Sequence, residues 1–310
     1  MADLPTPPVP PPAGAPAATL TGARFGYGGA IALDGVDLAV RQGEVLALLG
    51  PNGAGKSTAI GLLTGRLRPQ AGAARVFGHD PTRTSTRRLF GVMLQSAALP
   101  ETLRVSELLD HARACYPDPR PRAEVVELAG LSDLLARPYA RLSGGQQRRV
   151  QFAMAVGGRV PLLFIDEPST GLDAGARRRL WAAVGAMRDE GTAVVLTTHY
   201  LEEADALADR VLLVDRGRIV AEDSPDALKR RVAGVQVRCR TRVSPGVAAG
   251  WPEVAAARRH GGLLELECRR PEPVLRRLFA LDPDLDQLQV QPGSLEQAVQ
   301  ALTAGAEAAA

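Results

Sequence analysis

Gly50-Pro51-Asn52-Gly53-Ala54-Gly55-Lys56-Ser57-Thr58 separates two segments of opposite character. Before it, Val45 to Leu49 is an unbroken apolar run, the composition of a strand covered on both faces; after it, Ser57 to Leu63 reads as a helix. Glycines at 50, 53 and 55 let successive backbone N–H groups converge without a Cβ in the way, and the helix start adds the positive end of its dipole. A phosphate group suits such a cradle. Lys56 brings a mobile charge to the outer phosphates, and Ser57 offers a hydroxyl to Mg²⁺. The chain has 37 lysines and arginines, of which only Lys56 and Lys229 are lysine, so an arginine-using sequence has a lysine at this position.

Outward from the loop, Pro161 to Ile165 and Ala193 to Leu196 are further apolar runs, and Ala174 to Met187 and Leu201 to Ala208 read as helices after them. Buried strands alternating with helices predict an α/β fold with a parallel sheet. Val36 to Val40 alternates as a half-buried strand ahead of a turn at Arg41 to Glu44, and Val211 to Val214 and Arg218 to Ala221 flank Asp215-Arg216-Gly217 as a hairpin. The pattern changes after about Ala233. Val235, Val237 and Cys239 alternate with polar residues, as do Leu264, Leu266 and Cys268, while Pro273 to Ala280 and Ser294 to Leu302 are helix-like. Four segments are expected: a disordered Pro/Ala-rich tail over 1–18, an α/β domain over 19–232, a small α+β domain over 233–303, and a disordered low-complexity tail over 304–310.

Composition narrows the function. The 310 residues are 45% hydrophobic, 23% charged and 4% aromatic, which supplies an ample core. A net charge of only +3 argues against a dedicated nucleic-acid binder, which needs a basic excess to displace counterions. Cys115, Cys239 and Cys268 lack CxxC spacing and are expected to be buried free thiols in a reducing compartment. No stretch approaches the roughly 18 apolar residues that span a bilayer, and the N-terminus does not read as a secretory signal, so a soluble, cytoplasmic protein is expected.

The glycine loop alone is shared by kinases, GTPases, helicases and many ATPases. Further motifs decide among them. Leu142-Ser143-Gly144-Gly145-Gln146 precedes a helix-like segment; the run Leu162 to Ile165 ends in Asp166-Glu167-Pro168, followed by Ser169-Thr170-Gly171-Leu172-Asp173; Gln95 follows Val92-Met93-Leu94; His199 closes another apolar run; Tyr27 lies in Phe25-Gly26-Tyr27-Gly28. In this order, from about Thr19 to Arg230, they closely resemble the ABC ATPase family. The resemblance implies a phosphate-loop NTPase cassette with a mixed, largely parallel sheet core, a helical subdomain carrying Leu142 to Gln146, and a small C-terminal α+β accessory domain. It also implies ATP and Mg²⁺ as ligands and ATP hydrolysis as the reaction.

Each matched residue has a chemical reason. Gly50 to Thr58 hold the phosphates. Asp166, at a strand end, can hold Mg²⁺ through water together with Ser57 and the amide oxygen of Gln95. Glu167 is the adjacent carboxylate left to polarise an attacking water, and so reads as the general base. His199 can hydrogen-bond the γ-phosphate and keep water and base in line. A lone strand-end histidine or a lone tyrosine is more often structural, and only register with the family assigns His199 to catalysis and Tyr27 to adenine stacking.

Ser143, Gly144, Gly145 and Gln146 resemble a second phosphate cradle at a helix start. In the family that loop binds the γ-phosphate held by the opposite subunit, with Asp173 near the shared interface. The resemblance therefore implies a second nucleotide-binding subunit, most simply an identical copy, and a separate transmembrane permease, with this chain peripheral at the inner face of the membrane. One cassette without heptads, a cysteine module or a basic excess favours transport over action on DNA or ribosomes. Pro292 to Gly305 and the Val235 to Val290 region resemble the closing segment and accessory domain of ABC-2 type exporter ATPases, although Gln297 and Ala298 depart from that pattern. Export is expected, with import as the alternative.

Overall fold

The computed structural model describes residues 14–232 and 234–308. They form two compact units that divide between Glu222 and Asp223. In the first unit, β1 (Ala18–Tyr27) and β2 (Ala30–Val40) lead into β3 (Val45–Leu49), α1 (Lys56–Leu63), β4 (Ala71–Val76), α2 (Thr84–Arg87) and β5 (Phe90–Met93). The helices α3 (Val105–Ala114), α4 (Arg122–Ala129) and α5 (Gly144–Ala155) follow. The chain then returns through β6 (Leu162–Asp166), α6 (Ala174–Asp189), β7 (Ala193–Thr197), α7 (Leu201–Leu207), β8 (Arg210–Asp215) and β9 (Arg218–Asp223).

The central sheet has the order β5-β6-β7-β3-β8-β9, and every pairing from β5 through β8 is parallel. Side chains alternate across it. Leu162, Phe164, Ala193, Val195, Leu46 and Leu48 join α1 and the antiparallel sheet β2-β1-β4 in one core. Leu163, Ile165, Val194, Leu196 and Val45 join α3 to α6 in another. A strand filling two cores has no polar face, which is why β3, β6 and β7 read as unbroken apolar runs. The β8–β9 turn has both central residues at positive φ, Arg216 at 46° and Gly217 at 77°, the twist a two-residue hairpin requires.

Three expectations need correction. Residues 1–13 of the supposed tail lie outside the described residues, and order begins before Thr19: Ala17 and Ala18 are buried, and the Ala17 N–H donates to the Val40 carbonyl at 2.7 Å. The 304–310 tail begins inside a helix that runs to Ala308, while 309–310 lie outside the described residues. Of the cysteines, Cys239 and Cys268 are buried but Cys115 is exposed.

The second unit holds α8 (Pro225–Val232), β10 (Val235–Arg240), α9 (Pro245–Ala249), β11 (Val254–His260), β12 (Leu263–Cys268), α10 (Pro271–Leu281), β13 (Asp286–Pro292) and α11 (Leu295–Ala308). Its antiparallel sheet, ordered β11-β12-β10-β13, packs Val237, Cys239, Leu264, Leu266 and Cys268 against Val274 and Leu278 of α10. The division between units falls at 222/223, ten residues before the 232/233 boundary read from the sequence, because α8 packs on α11. No helix among the described residues is long and apolar enough to cross a membrane.

Candidate functional site

Three strands of the central sheet end at one place, the carboxyl edge where parallel α/β sheets bind ligands. β3 delivers Gly50 to Gly55 and then α1, whose first residue is Lys56. The loop cannot carry side chains at its ends. A Cβ on Gly50 would lie 2.0 Å from the Val214 carbonyl oxygen, and one on Gly55 would lie 2.4 Å from that of Ala32. Lys56 is 7% exposed, and its Nζ donates to the carbonyls of Gly50 at 2.7 Å and Pro51 at 3.0 Å. No ion pair forms at Lys56 among the described residues. Burial pulls its pKa below the ordinary lysine value, while Glu167 and Asp166 pull the other way. A buried ammonium held only by carbonyls is an incomplete electrostatic arrangement, and an anion in the loop completes it.

β6 ends at Asp166. Its Oδ1 accepts hydrogen bonds from the Thr197 hydroxyl, directly across on β7, and from Ser57 Oγ at 3.3 Å. The carboxylate and the Ser57 hydroxyl thus share a wall, a hard oxygen set suited to Mg²⁺, which takes few protein ligands besides phosphate oxygens. Among the described residues no group of three His, Cys, Asp or Glu could hold a metal alone. Glu167 follows with φ of 53°, a left-handed conformation rare outside glycine, and its N–H donates to Thr197 O at 3.0 Å and Thr197 Oγ1 at 3.1 Å. Its carboxylate meets His199 Nδ1 at 2.5 Å. A carboxylate only accepts, so Nδ1 carries the hydrogen, and in neutral imidazole Nε2 is left as an acceptor.

An open cleft of about 530 Å³ gathers Tyr27, the loop glycines Gly53 and Gly55, Lys56, Ser57, Thr58, Gln95 and Glu167. Tyr27, at the end of β1, is 55% exposed and meets the Phe25 ring edge-on at 4.9 Å. Asn52 also lines the cleft, whereas Ala54 turns inward and is buried.

Ser143, Gly144, Gly145, Gln146 and Asp173 do not line this cleft. Ser143 caps α5: its Oγ accepts from the Gln146 N–H at 3.3 Å, and Gln146 Oε1 accepts from the Ser143 N–H at 3.0 Å. This capping box occupies the Gln146 side chain locally. Asp173 caps α6 by accepting from the Ala176 N–H at 2.8 Å, and that bond holds its carboxyl below the ordinary range.

Sequence reasoning missed three contributors. Thr197 bonds both Asp166 and Glu167, and the Thr197-Thr198-His199 end of an apolar run was its only signal. Arg148 reaches the main chain of four motif residues and was one arginine among many. Glu203, fully buried, accepts from the Ser169 hydroxyl and from Trp181 Nε1 at 3.0 Å; burial raises its pKa above the ordinary glutamate value.

A strand, a glycine loop with its lysine, and a strand-end carboxylate beside the loop serine define a phosphate-loop nucleoside triphosphatase. Comparison narrows the class. The ABC transporter family profile matches residues 33–170. The daunorubicin/doxorubicin resistance ATP-binding protein DrrA of Streptomyces peucetius is 44% identical over 221 residues, covering 69% of this chain and 67% of that protein. The daunorubicin resistance ATP-binding protein DrrA2 of Streptomyces coeruleorubidus is 39% identical over 272 residues, 82% of each chain. The hemin import ATP-binding protein HmuV of Streptomyces coelicolor is 39% identical over 235 residues, 72% of this chain and 84% of that one. Among solved structures, an ATP-binding subunit of an ABC transporter superposes with a TM-score of 0.64 at 29% identity, over 69% of this chain and 92% of that one. The chain belongs to the ABC transporter ATP-binding proteins and is an ATPase of that family.

Proposed function

We propose that the chain powers an ABC-2 type exporter. Two copies close on two ATP molecules, and their closing and opening drive a separate permease at the inner face of the membrane. The observation that carries the nucleotide reading is the buried Lys56 ammonium, bonded among the described residues only to loop carbonyls within a backbone cradle. Gly50 to Thr58 hold the phosphates, Tyr27 stacks on the base, and Ser57, Asp166 and Gln95 hold Mg²⁺. When bound, that ion offsets charge on the phosphate oxygens.

Glu167 takes a proton from the attacking water as its oxygen bonds to the γ-phosphorus and the bond to the β-phosphate oxygen breaks, releasing ADP. His199 holds the Glu167 carboxylate through Nδ1–H. Ser143, Gly144, Gly145 and Gln146, with Asp173 nearby, act on the γ-phosphate of the opposite copy; their lying outside the chain's own cleft supports that division of labour.

Export is favoured over import by the higher identity to DrrA, 44% against 39% for HmuV, and by the reach of one relative, DrrA2. The 82% of this chain matched by DrrA2 exceeds the 222 residues of the first unit, so the likeness enters the second unit, whereas the 72% matched by HmuV can be held within the first unit almost entirely. The test is reconstitution of the chain with the permease encoded beside it in inverted vesicles. ATP-dependent accumulation of an amphiphilic drug such as an anthracycline supports export. A permease that works only with an external binding protein supports import.

A further inference from the structure

We infer that Arg148 is a positioning residue: its guanidinium joins the main chain of Glu167 to that of the Gln95 segment, so that the base is in place only when that segment is. Nη1 donates to the carbonyls of Leu94 at 2.8 Å and Gln95 at 3.0 Å, and to Gln151 Oε1 at 2.8 Å. Nη2 donates to the carbonyls of Asp166 at 3.0 Å and Glu167 at 2.5 Å. Arg148 itself belongs to α5, the helix capped by Ser143. One planar group therefore ties together the segment after β5, the helix of the Ser143 loop, and the two carboxylate-bearing residues after β6.

Stability alone does not call for a cation here. Arg148 is 9% exposed, forms no ion pair among the described residues, and leaves its Nε without a partner. A buried cation held by carbonyls alone costs desolvation that an apolar side chain of the same size would not. The geometry does account for it. Glu167 occupies a left-handed backbone conformation, which persists only where neighbours over-determine it. Thr197 holds the Glu167 N–H through two contacts, and the Glu167 carbonyl accepts from the Thr170 N–H at 3.4 Å and from Arg148. Lysine cannot substitute, because its single ammonium lacks the two separated nitrogens that face the two carbonyl pairs.

The inference rests on Glu167 being the base, and the experiment separates the two claims. In the full-length chain, Arg148→Met and Arg148→Lys are compared with wild type and Glu167→Gln for kcat, KM and affinity for a fluorescent non-hydrolysable ATP analogue. Both arginine variants should lose about 10- to 100-fold in kcat, with KM and analogue affinity within about 2-fold of wild type. Guanidinium, but not ammonium, should restore part of the rate to Arg148→Ala. Adding Arg148→Met to Glu167→Gln should not slow single-turnover hydrolysis further, since the misplaced group is already inert. Unchanged kcat in Arg148→Met, loss of ATP affinity in step with kcat, or unfolding of all three arginine variants overturns the inference. Undiminished turnover in Glu167→Gln overturns the parent assignment instead.

Discussion

The side chain and the backbone of Glu167 are held by different residues. His199 fixes the carboxylate, and Thr197 fixes the N–H. Glu167→Gln keeps the shape and removes the basicity, so ATP should still bind while steady-state hydrolysis falls at least about 10²-fold. Lys56→Ala removes a charge-assisted contact to phosphate, worth about 1.5–3 kcal/mol, so nucleotide affinity measured by calorimetry should weaken roughly 10- to 100-fold. Wild-type affinity in that variant would contradict the cradle. At this scale the sequence was informative where chemistry demands one residue type at one spacing, as with Lys56, Asp166 and Glu167. It was silent where the role is set by a neighbour far along the chain. Nothing local indicates that Thr197 stands across from Asp166, that Arg148 aims at four carbonyls, or that Glu167 has positive φ.

Among the elements, the strands that fill two cores were legible and the rest less so. β3, β6 and β7 have every residue buried, and hydrophobicity alone marks such runs. β1 and β4 mix buried and exposed positions and their pairing shifts register, which blurs a period of two. α3 and α4 start at Arg104 and Pro121 rather than at the Ser, Thr, Asp or Asn that announces a helix. α5 carries that signal in full, with Ser143 and Gln146 in a capping box. Ser143→Ala should therefore cost about 1 kcal/mol through the lost cap, a fall in melting temperature of roughly 2–4 °C for a unit of this size. It should also reduce ATP-driven pairing of two copies, a loss the cap alone does not explain. Gly145→Ala probes the same loop sterically, since its Cβ would lie 2.8 Å from the Gly171 carbonyl oxygen.

For the whole molecule, the division into two units was visible as a change from apolar runs to alternating strands, but its position was not. Residues 225–232 fall in the α/β unit by proximity in sequence, and only the packing of α8 on α11 assigns them to the second. A chain ending at Glu222 should fold and bind ATP within a few-fold of the full chain, whereas a chain ending at Val232 keeps α8 without its partner helix and should be more easily proteolysed near residue 225. The central claim concerns two copies rather than one, because the Ser143 loop lies outside the cleft that holds Lys56. The most direct measurement is the molar mass of full-length Glu167→Gln by light scattering, with and without ATP and Mg²⁺. The account predicts a monomer without nucleotide, a dimer with it, and a return to monomer when Ser143→Ala and Gly145→Ala are added. A mass that stays monomeric at saturating ATP–Mg²⁺, with the permease present as well as absent, would contradict it.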